Sequence, residues 1–426
     1  MQGVNGKLQG NSDQAELPIW ARDDTFPPAP DGFGWIDHKG NKHPCDSLNE
    51  ISDKIRNDSK NSLQLVWTPS SNFCKLPDEI DSFREPMHKV RQSWAEEDRT
   101  KTQNRLRWMS SAVALYIAYI AYGKWLQLIH IQQSNGVSPD FFQELTWLAS
   151  GLIQSTSVGL SLVGYLIFGF IPWYQAQKYH REIHLHYHTR ESNIPTLRFE
   201  TWLAFQKSPV TKIIFIAISI VFLAQAIGDQ SILSFHESVV EAGLVKNAYA
   251  KGEYFRLFTA PFLHGGLLHF VMNILALLYL AKRMEVFARW PHLPSVFLFS
   301  SLMAGETSAR LTDTTSVGSS GGLMGLLGFL LVFETLHRRL VPRNARRRLL
   351  AGVFLTALIG VIGYRFIDNA AHLGGIVAGM IYAGIVFPTS SSPTRPNSNL
   401  TDRIVGSACL GVILYSSALA VVKILS

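Results

Sequence analysis

The sequence predicts an all-α, polytopic transmembrane helix bundle preceded by a small soluble N-terminal region. Only 17% of the 426 residues are charged, against roughly 25% in average soluble proteins. A helix needs about 20 mostly apolar residues to cross a hydrocarbon core about 30 Å thick, and nine segments approach that length. The basic residues between these segments alternate in density, as the positive-inside rule requires. These observations together predict a multi-pass integral membrane protein.

Residues 1–105 predict the soluble region, because they are polar and punctuated by Pro, Gly and Asp. A hairpin is predicted to turn at residues 39–41, where Lys, Gly and Asn follow one another. The residues expected to anchor the core of this region are Trp20, Trp35 and Trp67.

A second strand is predicted at residues 63–67, and the charged stretch 85–107 predicts a helix that leads into the membrane. Residues 1–17 contain no apolar core, so we expect the first spanning helix, rather than a cleavable signal, to direct insertion. The three cysteines are too few and too scattered for a disulfide framework or a four-ligand zinc site, and a structural role is expected for each.

The nine apolar segments divide the rest of the chain into three parts. They lie near residues 109–130, 147–172, 212–228, 264–284, 292–304, 320–337, 349–364, 370–387 and 403–425. We therefore expect two extra helices and a basic loop in 106–205, a six-helix core in 206–390, and a linker with one extra helix in 391–426.

The distribution of basic residues favours a cytoplasmic N-terminus. With that orientation the basic residues cluster on the inside and few occur in the outer loops. The inner basic residues are Lys178, Arg181, Arg190, Arg198, Lys282, Arg283 and Arg289, followed by the cluster Arg338, Arg339, Arg343, Arg346, Arg347 and Arg348. This topology places Ser320, His372 and His264 near the outer face.

Polar side chains within these apolar segments predict hydrolase chemistry. Ionisable groups in a membrane are costly, so by default they mark a functional site. A serine hydroxyl is a weak nucleophile until a base accepts its proton, and Ser320 with His372 makes a plausible pair. Asp368 lies one turn before His372, where it is either a third catalytic group or, as we favour, the cap of that helix.

A tetrahedral intermediate also needs hydrogen-bond donors for its oxyanion. His269 and Asn273 are four residues apart, so on one helix they project from the same face. The backbone N–H of Ser320, at the start of a helix, is a third candidate donor. His264 precedes this pair in the same segment.

Small residues explain how the segments approach one another. Gly321, Gly325 and Gly328 form a stripe on one predicted helix, and Gly375 with Gly379 forms a small-xxx-small pair on another. Such residues allow helix backbones to come close in a membrane, and the pattern therefore predicts tight packing of these two helices.

Three motifs in these segments resemble the signatures of rhomboid intramembrane serine proteases. They are HxxxxHxxxN from His264 to Asn273, GxSG from Gly318 to Gly321, and AHxGG from Ala371 to Gly375. The resemblance covers roughly residues 205–390, the expected six-helix core. The helices before and after that core are additions, although the last looks like the extra C-terminal helix of some family members.

The resemblance implies a role for each of these residues. Ser320 would be the nucleophile, His372 the general base, and His269 with Asn273 part of the oxyanion hole. His264 would have a more structural role. It further implies hydrolysis of peptide bonds in or near transmembrane helices, with membrane-protein substrates and the lipid bilayer as partners, and with no nucleic acid, cofactor or metal. The oligomeric state stays open.

Two positions depart from the family pattern. Phe255-Arg256 resembles the family's Trp-Arg pair in the first external loop, with Phe in place of Trp. Met324 stands where many members carry an aromatic residue against the catalytic histidine, and we expect it to contact His372.

Two other functions are alternatives to a protease. A non-catalytic rhomboid-like protein would lack the serine or the histidine, and a transporter would show internal repeats and broken helices at mid-membrane. A group of four histidines superficially suggests a metal site, but a solvated stretch is favoured. These are His180, His184, His186 and His188.

Overall fold

The computed structural model describes residues 17–58, 63–136, 140–185, 194–364 and 367–426. The described chain divides into two compact units. One contains the residues up to Thr25 together with Pro195–Leu355 and Asp368–Ser426, and the other contains Phe26–Ile194 and Thr356–Ile367.

A three-stranded antiparallel sheet begins the second of these units. Its strands β1 (Phe33–Asp37), β2 (Lys42–Cys45) and β3 (Leu63–Trp67) lie in the order β2-β1-β3. Gly40 has a φ of +87° in the turn between β1 and β2, a conformation that favours glycine. The predicted hairpin and the predicted strand before residue 68 are both confirmed.

The core of this N-terminal region forms between the sheet, helix α1 (Leu48–Arg56) and the first turns of helix α2 (Asp81–Asn135). Its buried residues are Ile51, Ile55, Val66, Phe83, Met87 and Val90. Trp35 packs against this cluster, and Trp67 is 1% exposed. The expectation that Trp20 also anchors this core is wrong, because Trp20 belongs to the other unit.

Helix α2 is 55 residues long, which at 1.5 Å per residue is about 80 Å. It contains the whole charged stretch and continues through the first apolar segment, as predicted. It is followed by α3 (Phe141–Ile153), α4 (Thr156–Tyr165), a π-helical turn (Leu166–Phe170) and α5 (Ile171–Leu185). The predicted span 147–172 is therefore interrupted at residues 154–155, where α3 ends and α4 begins.

The six predicted core helices and the extra C-terminal helix are all present. From residue 194 onward the helices are α6 (Ile194–Phe205), α7 (Pro209–Gly228), α8 (Glu237–Ala242), α9 (Lys246–Ala250), α10 (Arg256–Thr259), α11 (Leu267–Ala288), α12 (His292–Leu311), α13 (Ser320–Leu336), α14 (Arg343–Ile362), α15 (Asn369–Val386) and α16 (Leu400–Leu425). The six core helices are α7 and α11 to α15.

Six helices of the described chain are long and apolar enough to cross a membrane, which agrees with a multi-pass integral membrane protein. They are Asp81–Ser134, Ser157–His184, Pro209–Gly228, Leu267–Ala288, Asn369–Val386 and Leu400–Leu425. The sequence predicted nine. The three predicted spans that are not among the six are α12, α13 and α14. Helix α13 has only 17 residues. Helix α12 carries charged residues in its last turns, and α14 has four arginines among its first six residues.

Helices α13 and α15 pack through their glycines, as the sequence predicted. A Cβ atom on Gly375 would overlap the carbonyl of Gly321, and one on Gly379 would overlap the carbonyl of Gly325. On the facing helix, a Cβ on Gly328 would overlap the backbone of Ile376. The two backbones are thus too close for any side chain at these positions.

A buried ion pair joins α11 and α13. Arg283 Nε lies 2.6 Å from Glu334 Oε1, and both side chains are 1% exposed. The guanidinium also lies 5.3 Å from the ring centre of Phe199. Arg283 lies near the C-terminal end of α11, and its charge is paired with that of Glu334.

Candidate active site

Ser320 is the first residue of α13, and the turn before it requires a glycine. Gly318 has a φ of +120°, and its N–H donates to the carbonyl of Ala260 over 3.0 Å. That conformation is rare for residues with a side chain. The first glycine of the GxSG motif therefore sets the path of the chain into the helix that begins with Ser320.

His372 lies in the first turn of α15, opposite Ser320. Its Nε2 is 2.9 Å from Ser320 Oγ, and the two residues are 52 positions apart in the chain. The glycine contacts between α13 and α15 bring them together. This distance is within the reach expected of a nucleophile and its base.

Asp368 caps the helix that carries His372. Its Oδ1 accepts the N–H of Ala371 over 2.9 Å, and its backbone carbonyl accepts the N–H of His372 over 3.1 Å. Its Oδ2 accepts a hydrogen bond from the Ser308 hydroxyl. Of the two roles considered for Asp368, the cap is confirmed.

The ring of His269 lies beside Gly318. Its Nδ1 accepts the N–H of Gly265 over 3.3 Å, so a neutral ring carries its proton on Nε2. A Cβ on Gly318 would lie 2.9 Å from that Nε2 atom. The donor nitrogen of His269 is therefore close to the backbone that leads into Ser320.

Asn273 lies one turn after His269 on α11, and its side chain also lies near Gly318. Its Nδ2 donates to the carbonyl of His269 over 3.0 Å, and a second hydrogen remains on that nitrogen. A Cβ on Gly318 would lie 3.9 Å from Asn273 Nδ2. The structure thus brings together the two side chains singled out as oxyanion donors, although their role stays a prediction.

His264 is fully buried in the loop before α11. Gln225 of α7 forms hydrogen bonds with both backbone polar groups of His264. The side-chain oxygen of Gln225 accepts the His264 N–H over 2.8 Å, and its side-chain nitrogen donates to the His264 carbonyl over 3.0 Å. The His264 ring packs edge-on against His269, 5.2 Å between centroids. Gln225 was missed by the sequence reasoning, although a glutamine in an apolar helix is a signal that could have found it.

The loop between α7 and α11, residues 229–266, is organised by Arg256. Its Nη1 donates to the carbonyls of Val240 and Gly243, each over 2.8 Å. Its Nε donates to Glu253 Oε2 over 2.7 Å. The arginine of the Phe255-Arg256 pair therefore holds the fold of this loop.

The histidines near residue 180 lie in the unit that contains Phe26–Ile194, whereas Ser320 and His372 lie in the other unit. His180 Nε2 is 2.6 Å from Glu96 Oε2, and the rings of His180 and His184 are 4.4 Å apart. His186 and His188 fall outside the described residues. Within the described ranges, no group of three or more His, Cys, Asp or Glu side chains is arranged to hold a metal ion.

Comparison with known proteins identifies the family. Residues 251–389 match the model of the Rhomboid domain family, and all three motifs of the site lie within that range. Residues 251–389 therefore form a domain of the rhomboid family.

Several curated relatives resemble this rhomboid chain over the same region. RHOMBOID-like protein 5 of Arabidopsis thaliana is 32% identical over 141 residues, which is 32% of this chain and 45% of the relative. Rhomboid protease GluP of Bacillus subtilis (strain 168) is 28% identical over 152 residues, or 34% and 29% of the two chains. Inactive rhomboid protein 1 of Papio anubis is 28% identical over 145 residues, or 33% and 17%. The chain thus spans less than half the length of each of these relatives.

Proposed function

We propose that this rhomboid chain is an intramembrane serine endopeptidase that hydrolyses peptide bonds in or near transmembrane helices of membrane proteins. The observation that carries the proposal is the hydrogen-bond distance of 2.9 Å between Ser320 Oγ and His372 Nε2. Family membership alone does not decide the point, because its relatives include a rhomboid protease and an inactive rhomboid protein. The presence of both residues in contact favours the protease.

In the proposed reaction Ser320 Oγ attacks the carbonyl carbon of the scissile peptide bond while His372 Nε2 accepts the hydroxyl proton. The tetrahedral intermediate collapses when the C–N bond breaks, and His372 gives that proton to the leaving amine. Water then attacks the acyl ester, with His372 again accepting a proton. The C–O bond to Ser320 then breaks and His372 returns that proton to Ser320 Oγ, which restores the hydroxyl as the acid is released.

The oxyanion of each tetrahedral intermediate would be held by donors around Gly318. The proposed donors are Nε2–H of His269, the free amide hydrogen of Asn273 and the backbone N–H of Ser320. Since these groups are fixed by α11 and by the start of α13, little rearrangement would be needed as the negative charge develops.

The substrate proposed is a transmembrane helix with a weak segment. A helix hides its carbonyls in its own hydrogen bonds, so a locally unwound stretch rich in Gly or Ala should be cleaved preferentially. The alternation of basic residues supports a cytoplasmic N-terminus, and in that orientation the dyad would lie near the outer face, where water is accessible.

The test compares the full-length protein with two single-serine variants. Ser320→Ala should abolish both cleavage of a model transmembrane substrate and labelling by a fluorophosphonate probe. Ser319→Ala is the matched control, because Ser319 is adjacent to Ser320 and its side chain makes no capping hydrogen bond to α13. This variant should leave cleavage and labelling largely intact. Equal labelling of the wild type and Ser320→Ala would contradict the proposal, as would a folded wild type that neither labels nor cleaves.

A further inference from the structure

Resting on the proposed function, we propose that Lys246 is a positioning residue for the base His372, acting through Ser308 and Asp368. Lys246 begins the short helix α9 in the loop between α7 and α11. It does not contact the dyad. Its effect is transmitted through a chain of hydrogen bonds to the start of α15.

The chain of hydrogen bonds begins at the ammonium group. Lys246 Nζ lies 2.5 Å from Ser308 Oγ, and Ser308 Oγ in turn contacts Asp368 Oδ2. An ammonium can only donate, so Ser308 accepts from Lys246 and its single hydrogen goes to the carboxylate. Both ends of the chain are charged, which shortens and strengthens such bonds.

Ser308 is fully buried, so water does not compete for these bonds. Burial lowers the pKa of Lys246, while the nearby Asp368 carboxylate acts in the opposite direction. A partly buried ammonium is costly unless it is paired, and the carboxylate reached through Ser308 supplies the opposite charge.

From Asp368 the connection to the base is direct. The carboxylate and the backbone carbonyl of Asp368 accept the N–H groups of Ala371 and His372, and so fix the first turn of α15. His372 belongs to that same turn, and its ring atom Nε2 lies within hydrogen-bond distance of Ser320 Oγ. A shift of Asp368 would therefore move the imidazole relative to the hydroxyl.

The same loop also holds the segment before the nucleophile. Leu244 and Ser316 exchange two backbone hydrogen bonds, of 3.0 and 3.2 Å. Leu244 is two residues before Lys246, and Ser316 is four residues before Ser320. One short stretch of the loop thus fixes the approach to both members of the dyad, where a misplacement of about 1 Å can cost on the order of 100-fold in rate.

The test uses Lys246→Met in the full-length protein, with kcat and KM measured on one transmembrane substrate at matched folded fraction. We expect kcat to fall by about 10- to 100-fold with little change in KM. Lys251→Met removes an exposed lysine of the same loop and serves as the control, which should behave as wild type. A lower unfolding temperature with unchanged kcat would show a merely structural role and overturn the proposal.

A double-mutant cycle with Asp368→Asn tests the route. If Lys246 acts through Asp368, adding Lys246→Met to Asp368→Asn should lower kcat by less than about 2-fold further. Multiplied effects would overturn the proposal. Should Lys246→Met not fold, Ser308→Ala removes only the central hydroxyl and must give the same loss of kcat and the same non-additivity.

The outcomes separate this proposal from the proposed function. Wild-type cleavage that persists in Ser320→Ala, or a folded wild type without cleavage, overturns the protease function and the role of Lys246 with it. Cleavage that depends on Ser320 but not on Lys246 overturns only the role of Lys246.

Discussion

Gly318 illustrates how single residues shape the proposed site. It lies between α13 and α11. Its backbone leads into Ser320 at the start of α13, and the absence of a side chain leaves space for His269 of α11. A Cβ there would lie 2.8 Å from His269 Cε1, closer than carbon atoms pack without strain. The residue therefore supplies both the backbone conformation and the room for a donor ring.

At the same scale, Asn273 offers a test of the proposed oxyanion donors. Asn273→Ala should lower kcat by roughly 10²- to 10³-fold, the effect of losing one oxyanion donor in a soluble serine protease. KM should change little, because the donor acts on charge that develops only in the transition state. Steady-state kinetics on one transmembrane substrate measures both constants. A large rise in KM at unchanged kcat would assign Asn273 to substrate binding instead.

Among the elements, the contact between α13 and α15 has the greatest consequence, since each helix carries one member of the dyad. Gly328, Gly375 and Gly379 each face a backbone carbonyl of the other helix. Lipid tails are as apolar as most side chains, so helix association in membranes relies on such close packing. The tight contact is what brings Ser320 and His372 within 2.9 Å.

Gly379→Ala should therefore destabilise the bundle. The added methyl meets the Gly325 carbonyl, and overpacking of this kind typically costs about 1–3 kcal/mol. Gly384→Ala on the same helix is the matched control, because nothing lies within 4 Å of its Cβ position. Thermal unfolding in detergent should show a lower midpoint for Gly379→Ala alone. Equal midpoints for the two variants would contradict the close packing.

On the scale of the whole molecule, the first described residues of the chain belong to the same unit as the proposed active site. Trp20 Nε1 donates to the Leu340 carbonyl over 2.7 Å, and Arg198 Nε donates to the Trp20 carbonyl over 2.9 Å. The Trp20 ring packs edge-on against Phe199, 5.9 Å between centroids. The segment around Trp20 thus links α6 to the connection between α13 and α14.

Trp20→Ala should consequently destabilise this unit, although Trp20 lies 300 residues before Ser320. Loss of a buried aromatic side chain typically costs about 3–5 kcal/mol, and Trp20 is 8% exposed. The temperature at which fluorophosphonate labelling of Ser320 is lost should fall, while labelling at low temperature persists. Trp108→Ala is the control, since that ring is 78% exposed. The same loss temperature for both variants would show that Trp20 does not support the unit.

The sequence by itself determined the local features of this protein. Apolar length and the positions of charges predicted the core helices, and the Lys-Gly-Asn run predicted the hairpin of the N-terminal region. The three motifs identified the family and named the candidate residues, because the chemistry of Ser320 and His372 depends on residue type. Glycine spacing predicted which two helices pack closely.

Only the tertiary structure decided the features that depend on contacts between distant residues. Asp368 proved to cap α15, and Arg283 proved to be buried in an ion pair. Trp20 proved to belong to the unit that contains Ser320 and His372, not to the core of the N-terminal region. The hydrogen bonds that link Lys246 to Asp368 through Ser308 likewise join three separate elements. Periodicity and motif spacing describe neighbours along the chain, whereas these contacts join residues tens or hundreds of positions apart and exist only once the helices have packed.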